Sequence, residues 1–323
     1  MPFLSRGRAE SVYRVFFATD VHGSDRCFAK FLAAAKVYQA DALILGGDLA
    51  GKGIVPIIEL GQGKYRVRFQ GAVRELVADE LEAQRRIIRF NGLYPLVMDE
   101  ASVRELEDPA KLNAAFAAAI TDQIRRWCTL AAERLPESVR CVITPGNDDP
   151  YVIDDTLRAA DRVECPEKQV VQVGSFWLAS FGTTNRTPWD SEREADEADL
   201  KREIDSVLHG LPDGRALWFN FHAPPRGCGL DTAVKLDADL RPVVERGMVL
   251  TEPVGSIAVR DAILQYRPLV GLHGHIHEAG GTCKLGSTLC INPGSDYSSG
   301  VLKGVIVQVD SAGRPTAHLL TNG

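Results

Sequence analysis

Three imidazoles fall within five positions in Leu272-His273-Gly274-His275-Ile276-His277, a grouping that is costly to bury and useful chiefly to a metal ion. In an extended segment, alternation puts His275 and His277 on one side and Ile276 on the other, so two ligands converge while the apolar residue faces the core. Four more stretches carry ligand-type residues. Asp20-Val21-His22-Gly23 sets a carboxylate and an imidazole two apart, and Gly46-Gly47-Asp48 delivers a second carboxylate. Gly146-Asn147-Asp148-Asp149 adds an amide and two acids, and His222 stands before Ala223-Pro224-Pro225. Mixed oxygen and imidazole donors suit a pair of first-row divalent ions with one carboxylate shared between them. Two such ions about 3.5–4 Å apart bring the pKa of bound water near neutrality and neutralise charge on a phosphoryl group. The chemistry this points to is hydrolysis of a phosphate ester.

The elements that must position these groups are apolar runs. Val12 to Thr19 reads as a strand ending at Asp20, and Asp41 to Leu45 as a second ending at Asp48. Between them, Phe28, Phe31, Leu32, Ala35 and Tyr38 have helical spacing, with Ser24 or Asp25 as cap. This βαβ unit brings Asp48 beside Asp20. Val139 to Thr144, Ala216 to Phe221 and Arg267 to Gly271 are further buried strands, each followed by ligand-type residues. Ligands of α/β sheets gather at such strand ends.

From Gly51 to about Pro136 the pattern changes, as expected of an inserted cap. Val55 to Leu60 and Tyr65 to Gln70 predict a hairpin about Gly61-Gln62-Gly63-Lys64. A helix is expected from about Val73 to Arg89, then a loop over Asn91 to Pro95, then one or two helices through Ala110 to Leu135. Lys64, Arg66, Arg68, Arg74, Arg85, Arg86 and Arg89 make this part basic, as either a solvated face or an anion-facing lip. The charged stretch from Ser191 to His209 predicts a solvated helix. Asn185, Arg186 and Trp189 lie in a loop that could line a pocket, with Arg186 as a phosphate clamp.

Composition sets the class. A chain of 323 residues that is 45% hydrophobic has enough apolar material for a substantial core. A formal charge of −6 gives no general footprint for nucleic acid or an anionic membrane. The seven cysteines form no CxxC pair and fit reduced thiols, which points to the cytoplasm. No long apolar segment follows Met1 to Arg8 and nothing later approaches a membrane span, so a soluble, unprocessed chain is expected.

In combination, Asp20-x-His22, Gly47-Asp48, Gly146-Asn147, the lone His222 and Gly274-His275-x-His277 resemble the ordered motif set of the calcineurin-like metallophosphoesterases. The resemblance covers about Val12 to Leu49, Val139 to Pro150 and Ala216 to Asp310, and leaves out the insert. It implies an α/β fold, a four-layer α-β-β-α sandwich of two mixed sheets flanked by helices with metal loops on one rim. The chain would be one domain, 1–323, with a hairpin-plus-helices subregion inserted at 51–136. Asp20, His22 and His277 would hold one ion, Asn147, His222 and His275 the other, and Asp48 would bridge. A hydroxide shared by the ions would be the nucleophile. The ions would be manganese, iron or zinc, and the substrate a small phosphorylated molecule such as a nucleotide.

One position departs from the family. Where it usually has Gly-Asn-His-Asp/Glu, this chain has Gly146-Asn147-Asp148-Asp149, so the imidazole that protonates the leaving group is missing. Asp148, Asn147 and Asp48 then form the candidate catalytic group, and Asp148 can donate a proton only with a raised pKa. Phosphodiesters or activated esters are the expected substrates. Asp149 is expected to orient a neighbour rather than touch a metal. Two other readings share the residue pattern: a nuclease of the same fold, and a non-catalytic protein-binding scaffold.

Overall fold

Alternation along Tyr13–Ala18 sends Val15 and Phe17 to one face and Phe16 and Ala18 to the other, and both faces are buried. In the computed structural model, which describes residues 12–211 and 215–323, this strand is the centre of a five-stranded sheet. It runs parallel to Ala42–Gly46, which runs parallel to Arg140–Thr144; its other edge pairs antiparallel with Lys303–Val309, followed by Pro315–Asn322. A second sheet has six strands in the order Gly281–Leu285, Thr288–Asn292, Val270–Leu272, Leu217–Phe221, Phe176–Phe181 and Gln169–Val173, the middle four parallel. The N-terminal stretch Met1 to Arg8, expected to be unprocessed, lies outside the described residues. Among those residues no helix is long and apolar enough to cross a membrane.

Three cores hold four layers together. Val15, Phe17 and Ile44 of the first sheet meet Leu178, Trp218 and Ile291 of the second. On the outer face of the first sheet, Phe16, Leu43 and Ile143 pack against helices Asp25–Val37 and Pro109–Arg134, with Phe28 stacked on Trp127 at 4.3 Å between centroids. On the outer face of the second, Phe181, Phe219 and Phe221 pack against helices Glu197–Leu208 and Ile257–Tyr266. The fold is therefore the expected α-β-β-α sandwich with mixed sheets. Each fully buried Phe or Leu contributes about 1.5–3 kcal/mol, so burial on both faces fixes where each strand ends.

Residues 53–98 build a separate four-stranded sheet around Val55, Ile57, Val67, Leu76 and Ile88. Gly53–Gly61 and Lys64–Phe69 form the expected hairpin. The helix expected from Val73 begins only at Ala78, because Ala72–Val77 is a strand paired with Lys64–Phe69. The cause is the turn at Gln70-Gly71, with φ of 50° and 77°, which suits a two-residue hairpin connection. The loop expected over Asn91 to Pro95 is instead the start of strand Leu93–Met98, parallel to Gly53–Gly61. Helix Pro109–Arg134 leaves this extension and joins the first core. Where the extension meets the sandwich, three backbones touch: a Cβ on Gly23 would lie 2.6 Å from Gly51 Cα, and one on Gly92 would strike His22 O. Tyr94 seals the joint, its hydroxyl accepting from Gly51 N at 2.6 Å and donating to Gln123, whose amide donates to Gly23 O.

Candidate metal centre

Every candidate ligand lies just beyond the end of a sandwich strand, and four are held in left-handed backbone: Asp20 (φ 53°), His22 (39°), Asp48 (53°) and His275 (68°). Such conformations cost on the order of 1 kcal/mol or more for non-glycine residues and persist only when their surroundings impose them. Backbone bonds impose them here, with Asp20 N donating to Gly47 O and His22 N to Asp48 O. The His275 N–H donates to both Asp20 oxygens at 3.1 Å. Asn292 clamps the histidine turn by donating to Ile276 O at 2.9 Å, and Ser295 Oγ donates to Asp20 O at 2.7 Å.

Two sets of ligand atoms result, each with all members within 4.8 Å of one another: Asp20, His22, Asp48 and His277, and Asp48, His222 and His275. Asp48 belongs to both. His22 Nε2 and His277 Nε2 face each other at 3.0 Å, and His277 Nε2 lies 3.3 Å from Asp20 Oδ1. His222 Nδ1 donates to Gly46 O at 2.8 Å, which turns Nε2 inward; that atom is buried, 3.2 Å from Asp48 Oδ1, without a hydrogen-bond partner. A carbonyl that fixes the far nitrogen is the usual support of a metal-ligating imidazole. Gly146 leaves the needed space, since a Cβ there would collide with Asp48 and lie 2.8 Å from His222 Nε2.

Asn147, expected to complete the second set, directly follows Gly146. Its amide nitrogen donates to Ser191 Oγ at 2.9 Å and to Asp148 Oδ1 at 3.1 Å, leaving Oδ1 buried and unpartnered. Ser191 Oγ in turn donates to Glu194 Oε1 at 2.6 Å, and the same carboxylate accepts from the Thr187 N–H and hydroxyl. The Ser191-to-Glu194 spacing, expected to start a helix, instead closes this loop, and the helix starts at Glu197. A buried orphan acceptor at Asn147 and an inward-turned His222 Nε2, beside two carboxylates, are what a cation would satisfy.

Charge sharpens the picture. Burial would raise the Asp20 pKa, but His222 and His277 hold it down at about 2, and Asp48 is likewise held well below the usual carboxylate range. Burial, above all, pulls His22 and His275 down to about 4. Burial also acts against protonated His222, yet Asp48 and Asp20 push its pKa up to about 10. The two carboxylates thus favour positive charge at the second set.

Asp148 is paired with Lys52, a residue that sequence reasoning missed. Burial and the Asp48 carboxylate raise the Asp148 pKa while Lys52 opposes them. Lys52 is four residues past Asp48, the only signal that could have marked it. Asp149 touches none of the ligands; its carboxylate accepts from Gly146, Leu49 and Ala50 N–H, tying the Asn147 and Asp48 loops together. Burial and Asp48 bring its pKa to about 7 against those three donors. Arg193, buried, donates to Asp149 O and pairs with Asp154, bracing the loop from below.

The remaining candidates separate. His273 stands outside both sets, its Nδ1 donating to Phe221 O at 2.8 Å. Arg186 lines the cavity above the site, but its guanidinium is taken by Asp190 and Asp196. Arg226, unremarked in the sequence, lines the same cavity, is exposed, and has no ion pair among the described residues. Of the basic residues between Lys64 and Arg89 none lines that cavity; Arg66, Arg85 and Arg89 pair with acids of their own. Tyr297, also missed, lies against the His22 ring at 4.7 Å.

No family model matches the chain. An uncharacterized protein of Methanocaldococcus jannaschii, MJ1162, is 25% identical over 161 residues, 49% of this chain and 66% of its own length, just under two thirds. Among solved structures, TT1561 of Thermus thermophilus superposes over 97% of this chain and 99% of its own with a TM-score of 0.54 at 15% identity. A second crystal structure matches over 97% and 98% with a TM-score of 0.57 at 14% identity. These two share the fold.

Proposed function

We infer that this chain is a metal-dependent phosphoesterase of the calcineurin-like superfamily, acting on phosphate esters and preferring diesters. The observation that carries the reading is one shared carboxylate, Asp48, standing in two groups of ligand atoms. Asp20, His22 and His277 would hold one divalent ion and Asn147, His222 and His275 the other, with manganese the first ion to test. Such ions, when bound, acidify water and offset phosphoryl charge.

The chain's own residues supply the rest. Lys52 and Asp148 both line the cavity; Lys52 would offset phosphate charge there, and Asp148 would be the acid to serve the leaving group. Water adds oxygen to phosphorus, the ester P–O bond breaks, and the departing oxygen takes up a proton. With Asp148 paired to Lys52 that proton is hard to supply, which favours esters whose leaving groups need little protonation. We take 1–323 as one domain with 51–136 inserted in it, and the seven free cysteines support a cytoplasmic setting.

The test is metal content together with manganese-dependent cleavage of bis(p-nitrophenyl) phosphate. About two ions per chain and metal-dependent release of p-nitrophenol are expected. A protein that stays metal-free and inactive after manganese loading removes the enzyme reading and leaves the scaffold. Asp148→His is expected to raise the rate on simple monoesters about tenfold or more, in line with the usual contribution of a positioned acid. Unchanged monoester kinetics would remove the role given to Asp148.

A further inference from the structure

A cavity of about 960 Å³ opens from Asp48, Asn147 and His275 outward, far more than a phosphate group occupies and at the upper end of small-molecule sites. Its outer wall is apolar in a deliberate way. Trp189 is 62% exposed on a turn that Glu194 braces through Thr187 and Ser191. Leu240 is 44% exposed and held at φ 60° on a second turn, where Asp237 accepts from Asp239 N and Arg241 N. Two large apolar side chains kept in water on hydrogen-bonded turns, one of them in strained backbone, mark a surface built to be covered.

The charges of the same wall say by what. Arg186 is neutralised by Asp190 and Asp196, and Arg226, without an ion pair among the described residues, shares the lining with three acids, Asp237, Glu252 and Glu278. An outer groove with more acid than free base repels a polyphosphate or a nucleic-acid strand. We propose that this groove is a subsite for the second ester substituent of a phosphodiester, a large uncharged group with an aromatic face that stacks on Trp189 and packs on Leu240. This rests on the phosphoesterase reading above and adds to it the class of substituent.

The test uses three diesters with one leaving group, the p-nitrophenyl esters of methyl, phenyl and thymidine 5′-phosphate, on the manganese-loaded full chain. Binding of diphenyl and dimethyl phosphate is measured calorimetrically alongside. Phenyl and thymidyl esters are expected to exceed methyl by about tenfold or more in kcat/KM, the scale of one stacked ring. Trp189→Ala is expected to shrink that ratio severalfold, and Trp189→Phe to restore most of it. Equal turnover of all three esters overturns the subsite and leaves the phosphoesterase reading standing. No turnover of any ester, with diphenyl phosphate still bound about tenfold more tightly than dimethyl through Trp189, keeps the subsite and removes the reading. Neither turnover nor discrimination in binding removes both.

Discussion

Along the sandwich rim, Asp20, His22, Asp48 and His275 are all held at positive φ, and Asn147 Oδ1 and His222 Nε2 are buried without a hydrogen-bond partner. In the 53–98 extension, the non-glycine residues at positive φ are Gln62 and Gln70, both in hairpin turns, and Arg66, Arg85 and Arg89 reach acids nearby. One region holds its ligand residues in strained backbone against a fully buried double sheet; the other confines positive φ to hairpin turns and owns only a small core. The difference separates chemistry from support: strain that serves no local stability is tolerated where a rigid scaffold can hold it and something external completes it.

The contrast can be broken most directly at Asp48. Asp48→Asn weakens both ligand sets at once, and a fall of at least about a thousandfold in kcat/KM, roughly 4 kcal/mol, is expected together with loss of bound metal. Retained metal content by elemental analysis would show that the rim does not depend on its shared carboxylate. Next comes Ser191→Ala, which removes the shorter of the two bonds that orient the Asn147 amide; metal affinity at one of two sites should drop about 10–100-fold, while Ser191→Thr keeps it. Titration calorimetry with manganese reads this directly, and two unaltered sites would sever the link from Glu194 to Asn147. In the extension, Ile57→Ala empties a fully buried position and should cost about 2–5 kcal/mol of local stability while changing kcat/KM less than about threefold below the melting range. Activity falling in step with stability there would erase the distinction between the regions.

The smallest effect concerns pH. Glu167 is buried beneath the rim, where its carboxylate accepts from Gly182 N, and burial pushes its pKa from 4.5 up to about 7. The folded state therefore binds this proton more tightly than the unfolded chain. The stability it contributes is complete below about pH 4.5 and disappears as pH rises through about 7, at most ~3 kcal/mol. Glu167→Gln should narrow the difference in denaturation midpoint between pH 5 and pH 8.5; an unchanged difference would mean the carboxyl titrates normally.

The rim was legible because each ligand-type residue follows an apolar run, and runs buried on both faces leave little freedom in where a strand stops. Ser191 and Lys52 were not, since their roles depend on loops meeting across more than 40 positions, as Asn147 and Ser191 do. Ala72–Val77 misled for another reason: a short apolar segment next to a helix carries no period of its own, and Gln70-Gly71 is a weak hairpin signal without the asparagine or aspartate that usually marks one. Arg186 looked free because spacing cannot show that Asp190 and Asp196 fold back onto it.

The seam of Gly23, Gly51 and Gly92 has a bearing on how such a molecule can be rebuilt. Because bare main chain abuts bare main chain there, the extension is attached like a tile in a frame, with Tyr94 and Gln123 foremost among the side chains at the grout line to be re-matched. A different module grafted onto this sandwich should leave all three glycines and Tyr94 in place and be spliced inside them, whereas a cut made outward of the seam disturbs the carbonyl of His22 itself.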